Sequence, residues 1–282
     1  MTGRPLSRRH TLKGAVGAAA LTVASATMAP SASAAGGPGV EADGTGKATV
    51  VLVHGAFADT ASWNPVTARL QDQGYTVIGA ANPLRGLAHD AAQVAARLAA
   101  ITGPVVLVGH SYGGAVITQA AAGAPNVKAL VYVSAFVPDT GEVLGELAAR
   151  FPGSQLDAAL IPVPVPGADD TTATDLYIHP DRYHDVFAQD VPRHTTRVLA
   201  AGQRPLSATA FTDRVSAGAW RTLPSWNLIS AQDRGIVPTL QRFQAARARS
   251  RTIEVPTSHL PMYSMPDAVT TLIRAAARTI RP

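Results

Sequence analysis

A serine at position 111 stands in the stretch of the chain that is best suited to chemistry. The sequence around it is GHSYGG, preceded by the apolar run VVLV and followed by AVI. A G-x-S-x-G pattern between a strand and a helix is typical of a sharp turn that projects the serine hydroxyl from the sheet edge. The helix that follows points its unpaired N–H groups at the same place. The pattern therefore predicts Ser111 as a nucleophile.

A serine hydroxyl is a weak nucleophile, so Ser111 needs a base, and the base needs a carboxylate to orient it. Two strand-like runs late in the chain supply candidates. WNLIS ends three residues before Asp233, and TIEV ends four residues before His259. We predict His259 as the base and Asp233 as the acid, in the chain order Ser, Asp, His. Asp139, which follows an earlier strand-like run, is an alternative acid.

Attack on a carbonyl carbon builds negative charge on its oxygen, and two fixed N–H donors must stabilise that charge. The amide of Tyr112, directly after the serine, is one predicted donor. The loop after the first strand-like run, His54 to Phe57 with the sequence HGAF, is expected to supply the other. The rings of His54 and His110 are expected to support these turns and not to act as bases.

Apolar runs of strand length alternate with stretches of helical spacing from residue 48 onward. The strand-like runs are Thr49 to Val53, Thr76 to Ala80, Val105 to Val108, Ala129 to Ser134, Trp226 to Ser230 and Thr252 to Val255. The helical stretches lie near Pro65 to Gln73, Asp90 to Ile101, Ala115 to Ala122, Thr239 to Arg249 and Pro266 to Ile280. Strands this apolar, separated by helices, predict an α/β fold with a mostly parallel sheet of about six strands, covered on both faces.

A long interval, about 138–222, interrupts this alternation and is too long for a simple connection. We expect it to be an inserted cap over the carboxyl edge of the sheet, where ligands bind in such folds. Its apolar side chains predict an apolar pocket. Those side chains are Phe151, Leu156, Leu160, Ile161, Val163, Val165, Leu176 and Phe187.

Histidines and aspartates in the same interval, at 179, 181, 184 and 185, could suggest a metal site. The two histidines are five residues apart in a proline-containing segment, and that spacing fits no common metal site. The chain also contains no cysteine, which excludes thiolate ligands and disulfides. No metal and no cofactor are expected.

Residues 1–34 have the features of a twin-arginine export signal. SRRHTLK at residues 7–13 precedes an apolar stretch, residues 14–28, and the small-residue site ASA ends at Ala34. The apolar stretch is too short and too weakly apolar to span a bilayer, so stable membrane insertion is not expected. We predict cleavage after Ala34, a flexible leader at 35–47, a domain at 48–282, and a secreted or periplasmic location.

The net charge gives no support to a nucleic-acid partner. The formal net charge of the whole chain is +5, but residues 1–34 carry four of its basic residues and no acid, which leaves +1 for the rest. The remaining arginines are scattered along the sequence, as is usual for solvated surface residues.

These motifs resemble those of the α/β-hydrolase superfamily, in particular its compact serine esterases related to plant methylesterases and hydroxynitrile lyases. The resemblance extends from about residue 48 to the end of the chain. It is carried by HGA after the first strand, by GHSYGG, and by Asp233 and His259. It implies a Ser-His-Asp triad that hydrolyses a small-molecule ester through an acyl-enzyme. The second oxyanion donor would then be the residue after His-Gly, Ala56, with Phe57 as the alternative.

Two other functions stay open on the same resemblance. Hydroxynitrile lyases carry a lysine directly after the catalytic histidine, whereas this chain has Leu260, which disfavours cyanohydrin cleavage. The superfamily also includes ligand receptors that retain the triad, so non-catalytic binding of a small ligand is a further alternative. If the chain is an esterase, the apolar pocket favours an uncharged ester of small to medium size.

Overall fold

The computed structural model describes residues 46–167 and 171–280, and nine strands lie within these ranges. They are β1 (Thr49–Val53), β2 (Val77–Ala80), β3 (Val105–His110), β4 (Val127–Val133), β5 (Leu160–Pro166), β6 (Thr172–Ile178), β7 (Leu206–Ser207), β8 (Ser225–Ser230) and β9 (Arg251–Val255). Six of them form a central sheet in the order β2-β1-β3-β4-β8-β9, and all its neighbouring strands are parallel. The predicted α/β fold with about six core strands is confirmed.

Helices cover both faces of this sheet. The helices of the described residues are α1 (Asn64–Gln71), α2 (Leu87–Ala99), α3 (Tyr112–Ala120), α4 (Leu144–Ala149), α5 (Pro180–Phe187), α6 (Arg193–Ala201), α7 (Pro238–Arg247), α8 (Pro261–Ser264) and α9 (Pro266–Ala277). Of these, α1, α3, α7 and α9 contact strands of the central sheet. In the sheet, β2 lies on one side of β1, whereas β4 lies on the opposite side of β3 and β9 lies on that same opposite side of β8. Right-handed crossovers therefore place α1 on one face and α3 and α7 on the opposite face. Every residue of β1, β3 and β8 is buried, as expected for a sheet covered on both sides.

Among the element boundaries that differ from the sequence-based ones, two differ because of contacts between distant residues. Strand β3 continues past Val108, since Gly109 and His110 still pair with residues of β4. Helix α2 begins at Leu87, three residues earlier than expected, and the Asp213 carboxylate accepts a hydrogen bond from the Leu87 amide at 2.7 Å. Because the residue that caps the N-terminus of this helix lies 126 positions away, the sequence near the helix carries no signal of its start.

The interval between β4 and β8 contains helices α4 to α6 and a second, antiparallel sheet in the order β5-β6-β7. Strand β5 reads LIPVPVP, and proline normally argues against a strand because it cannot donate to the ladder. Here the three prolines occupy alternate positions of an edge strand, so their nitrogens all face away from β6. This is why the sequence pattern did not reveal the second sheet.

The predicted signal sequence at 1–34 lies outside the described residues, as does most of the predicted leader at 35–47. Within 46–167 and 171–280, none of the helices combines the length and the apolar character that a membrane crossing requires.

Candidate active site

Ser111 sits in a strained turn between β3 and α3. Its backbone has φ 54° and ψ −124°, in the positive-φ region that residues other than glycine rarely adopt. The flanking glycines permit this turn. A Cβ on Gly109 would lie 2.6 Å from the Gly113 carbonyl oxygen, and a Cβ on Gly113 would lie 2.6 Å from the Val53 carbonyl oxygen. The strain and the close approach together hold the serine at the carboxyl end of the sheet.

Replacing Gly113 with alanine should destabilise the protein, because the new methyl group meets backbone atoms of β1 that cannot move aside cheaply. We expect a loss of about 3 kcal/mol in the free energy of unfolding, measured by urea denaturation. Gly123→Ala is the matched control, since a Cβ there meets no atom within 4 Å. Equal stability of the two variants would contradict this interpretation of the turn.

The predicted base and acid are in direct contact. His259 Nδ1 lies 2.6 Å from Asp233 Oδ2, and both side chains are buried. Asp233 follows β8 and His259 follows β9, and these strands are neighbours in the sheet, so their loops meet at its carboxyl edge. With Nδ1–H donated to the carboxylate, Nε2 of the imidazole is left as the basic nitrogen.

Asp233 is itself held by three further donors. Its Oδ1 accepts hydrogen bonds from the amides of Gly235 at 2.8 Å and Ile236 at 3.0 Å, while its Oδ2 accepts one from Gln241 Nε2 at 2.8 Å. The sequence analysis did not identify Gln241, and a glutamine within a helix carries no local signal that could have singled it out. The carboxylate is therefore oriented before any substrate binds.

Ser111 and His259 line the same cavity, but the structure contains no hydrogen bond between the Ser111 hydroxyl and the imidazole. Serine–histidine hydrogen bonds of this kind are often long in ligand-free enzymes and shorten when substrate binds. The structure thus brings all three predicted triad residues to one place, with the acid–base half already formed.

The two predicted oxyanion donors are available to a ligand. In the described part of the chain, the amides of Ala56 and Tyr112 have no protein acceptor, and both residues line the cavity beside Ser111. The Phe57 amide, the alternative donor, instead donates to the Arg204 carbonyl oxygen at 3.1 Å. Since that N–H already has an acceptor, the geometry favours Ala56 over Phe57 as the candidate second donor.

Asp139, the alternative acid, is not near the base. Both of its carboxylate oxygens accept hydrogen bonds from the Arg221 guanidinium, one of them from Nε at 2.7 Å. These bonds hold the pKa of Asp139 below its usual value. The structure therefore pairs His259 with Asp233 and leaves Asp139 in an ion pair elsewhere.

The two other buried histidines at the site make structural contacts, although His110 Nδ1 has no hydrogen-bond partner within the described residues. His54 donates from Nδ1 to the Gly55 carbonyl oxygen at 2.9 Å and accepts at Nε2 from the Asn82 amide at 3.1 Å. His110 donates from Nε2 to the His259 carbonyl oxygen at 2.8 Å. Burial lowers the pKa of His54 to about 4 and that of His110 well below its ordinary value, so both rings are neutral at pH 7.

These depressed pKa values predict a loss of stability on mild acidification. The unfolded chain binds a proton on His54 near its ordinary pKa of 6.5, whereas the folded protein resists protonation until pH is about 4. Lowering the pH from about 7.5 to about 5 should therefore reduce the free energy of unfolding by about 2 kcal/mol through His54 alone. Urea unfolding at several pH values measures this. The free energy of unfolding should depend less on pH in His54→Gln. An unchanged pH dependence would argue against the lowered pKa of His54 as its cause.

A cavity of about 350 Å³ opens beside the candidate triad. Five phenylalanines line it: Phe57, Phe136, Phe151, Phe187 and Phe211. The phenyl ring of Phe187 lies against the candidate base, with its centroid 4.5 Å from that of the His259 imidazole. Besides His259, Asp157 is the one His, Asp, Glu, Lys or Arg side chain among the described lining residues. The cavity is thus shaped for an uncharged, largely apolar ligand.

The sequence-based list of pocket residues is correct in part. Phe151, Leu156 and Phe187 line the cavity. The other five predicted residues do not, and they are Leu160, Ile161, Val163, Val165 and Leu176. These five lie on β5 and β6, outside the cavity wall. Composition alone could not separate the two groups, because hydrophobicity does not tell which element or face a residue joins.

The histidine and aspartate cluster has other roles. His179 accepts a hydrogen bond from the Asp181 amide at the start of α5, and His184 contacts the Thr196 hydroxyl at 3.3 Å. Asp185 forms an ion pair with Arg193. Across residues 46–167 and 171–280, no three His, Cys, Asp or Glu side chains come together in a way that could hold a metal ion.

Known proteins share this architecture. Polyneuridine aldehyde esterase superimposes with a TM-score of 0.71 at 18% identity, covering 81% of this chain and 98% of its own. A pyrethroid hydrolase from Sphingobium faniae gives a TM-score of 0.65 at 23% identity, covering 82% of this chain and 97% of its own. At these identities the likeness establishes the fold.

Sequence comparison identifies the family. A "Carbendazim hydrolyzing esterase" from Nocardioides sp. is 33% identical over 135 residues, which are 40% of this chain. The chain matches only 56% of the length of that relative. The family profile described as "Alpha/beta hydrolase family" matches residues 50–272, most of the chain. The resemblance predicted from the GHSYGG and HGA motifs is thereby confirmed, and the chain belongs to the alpha/beta hydrolase family.

Proposed function

We propose that the protein is a serine-dependent carboxylic ester hydrolase that acts on small to medium, uncharged esters. The observation that carries the proposal is the convergence of an oriented acid–base pair, a strained serine and two free amides on one apolar cavity. Two relatives support the reaction class by their descriptions, the carbendazim hydrolyzing esterase and polyneuridine aldehyde esterase.

In the proposed reaction, His259 Nε2 removes the proton of Ser111 as its oxygen attacks the ester carbonyl carbon. Asp233 orients the imidazole and stabilises its charged form. The amides of Ala56 and Tyr112 donate to the oxyanion. Collapse of the tetrahedral intermediate breaks the ester bond, and the alcohol leaves with the proton from His259. Water then repeats these steps on the acyl-enzyme, which releases the carboxylic acid and restores the serine.

The cavity supports the substrate class. Its volume of about 350 Å³ lies near the lower end of the range for small-molecule sites. The phenylalanine side chains would remove water from an apolar acyl or alcohol group without leaving a polar group of the substrate unpaired. Asp157, exposed at the cavity, would repel a substrate that carries a carboxylate. Small neutral esters therefore fit best.

Hydrolysis of a graded series of p-nitrophenyl esters, from acetate to laurate, tests this function on residues 35–282. We expect the highest kcat/KM for short and medium acyl chains and labelling of Ser111 by a fluorophosphonate, read by peptide mass spectrometry. Absence of both would refute the proposal. Faster cleavage of mandelonitrile than of any ester would favour the lyase alternative, although the position after His259 is Leu260 and no Lys or Arg is among the described residues that line the cavity. Ligand binding without turnover or labelling would favour a receptor.

We also propose that the enzyme is exported. This rests on the twin-arginine sequence at residues 7–13 and the small-residue site that ends at Ala34. Amino-terminal sequencing of the protein from the culture medium or periplasm tests it, with Ala35 expected as the first residue.

A further inference from the structure

The side chain of Gln241 contacts the candidate acid at Oδ2, the oxygen that also contacts the imidazole. Gln241 lies on α7 and is completely buried, and both the nitrogen and the oxygen of its side-chain amide form hydrogen bonds. Nε2 donates to Asp233 Oδ2 at 2.8 Å and to the Ile236 carbonyl oxygen at 2.6 Å. Oε1 accepts from the Ser230 amide at 3.1 Å. Every polar group of the side chain thus has a partner.

These partners determine which way the amide faces. The Ser230 N–H can only donate, so it requires the oxygen of Gln241, whereas the Asp233 carboxylate and the Ile236 carbonyl can only accept, so they require the NH₂ group. The reverse orientation would bring oxygen against oxygen at two contacts. Gln241 therefore presents a fixed donor to Asp233 Oδ2, the same oxygen that accepts from His259 Nδ1.

A second glutamine on the same face of α7 provides a natural comparison. Gln244 is also completely buried, three residues farther along the helix. Its Oε1 accepts from the Val137 amide at 2.7 Å, and its Nε2 contacts two carbonyl oxygens at 3.4 and 3.5 Å. Gln244 ties α7 to the loop after β4 and does not contact the triad.

We propose that Gln241 is a positioning residue for catalysis, which fixes the Asp233 carboxylate so that its Oδ2 holds the His259 imidazole with Nε2 directed at Ser111. This inference rests on the proposed hydrolytic function. A hydrogen bond from a neutral donor to a carboxylate is among the stronger ones in a protein, and it is stronger still in a buried site. Loss of the donor leaves the carboxylate held by the Gly235 and Ile236 amides at Oδ1 alone, so Oδ2 can shift and the imidazole bonded to it shifts as well.

Gln241→Met and Gln244→Met test the proposal as a matched pair. Each variant removes one buried amide of similar volume from the same helix and leaves one backbone N–H without its acceptor, Ser230 or Val137 respectively. Both should therefore lower the thermal midpoint by a similar amount. Only Gln241→Met should lower kcat for p-nitrophenyl butyrate, by about 10- to 100-fold, because misplacing a catalytic group by a fraction of an ångström has effects of this size. KM should change by less than about twofold, since Gln241 does not line the cavity.

A second measurement does not depend on turnover. The His259 Nδ1 proton, hydrogen-bonded to a buried carboxylate, should give a far-downfield proton NMR resonance in the wild type and in Gln244→Met. That resonance should be shifted or lost in Gln241→Met. If Gln241→Met does not fold, Gln241→Glu keeps the volume and the acceptor for Ser230 while replacing the donor, and it should show the same loss of kcat at pH 8.

The outcomes separate the two proposals. Equal kcat and an unchanged downfield resonance in both glutamine variants would overturn the role of Gln241 while leaving the hydrolase assignment intact. Equal losses of kcat in both variants would also overturn it, because a general packing defect would explain them. If the wild type hydrolyses no ester, the hydrolase assignment fails, and the resonance alone decides whether Gln241 orients the Asp233–His259 pair.

Discussion

Replacing Ser111 with alanine should lower kcat/KM for ester hydrolysis by about 10⁴-fold or more. Without the hydroxyl there is no acyl-enzyme, and His259 can only assist direct attack by water. The variant should fold normally, because it removes a single oxygen that has no hydrogen-bond partner among residues 46–167 and 171–280. Hydrolysis of p-nitrophenyl butyrate, together with the thermal midpoint, measures both quantities.

Ser216→Ala is the control for that experiment, since Ser216 is an exposed serine that does not line the cavity. It should keep the wild-type rate. Retention of more than about one hundredth of the wild-type kcat/KM by Ser111→Ala would rule out an acyl-enzyme at this residue.

Asp233→Asn should reduce kcat by about 10⁴-fold, the effect seen when the acid of a serine triad is changed to its amide. Either the NH₂ group or the oxygen of the asparagine side chain would face His259 Nδ1, and the surrounding hydrogen-bond donors determine which orientation is favoured. Gly235 and Ile236 donate to one oxygen and Gln241 to the other, so no position suits an NH₂ group. The altered carboxamide disturbs the imidazole tautomer that leaves Nε2 basic.

Asp139→Asn is the matched control for this substitution. Asp139 pairs with Arg221, whose side chain is largely exposed, so the change should alter the free energy of unfolding by less than about 1 kcal/mol. It should leave kcat close to that of the wild type. The reverse result, a large loss of kcat in Asp139→Asn and none in Asp233→Asn, would indicate that Asp139 is the catalytic acid and would contradict the assignment of Asp233.

Several features of the site could be predicted because they depend on short-range sequence. The turn around Ser111 needs glycines at fixed offsets, and each of the other candidate residues follows an apolar run that ends at the carboxyl edge of the sheet. Parallel strands bring such ends together wherever they lie in the sequence. Ser111, Asp233 and His259 could therefore be proposed as a set before their contacts were known.

Other features depend on which distant backbone atoms meet. The Phe57 amide is occupied by a carbonyl oxygen from residue 204, and that contact distinguishes Ala56 from Phe57 as an oxyanion donor. The choice between Asp233 and Asp139 likewise depends on where Arg221 lies. None of these partners is within reach along the sequence, so no local pattern records them.

The sequence by itself determined the fold class and the candidates for nucleophile, base and acid, because these follow from strand and helix periods and from glycine spacing around one turn. Only the tertiary structure decided that the Phe57 amide already has a backbone acceptor, the shape of the cavity, the antiparallel sheet hidden by the prolines of β5, and the contact of Gln241 with Asp233. The physical reason is the range of the interactions involved. Backbone periodicity and turn strain act over a few residues, whereas hydrogen-bond partners and cavity walls are set by packing between elements far apart in the chain.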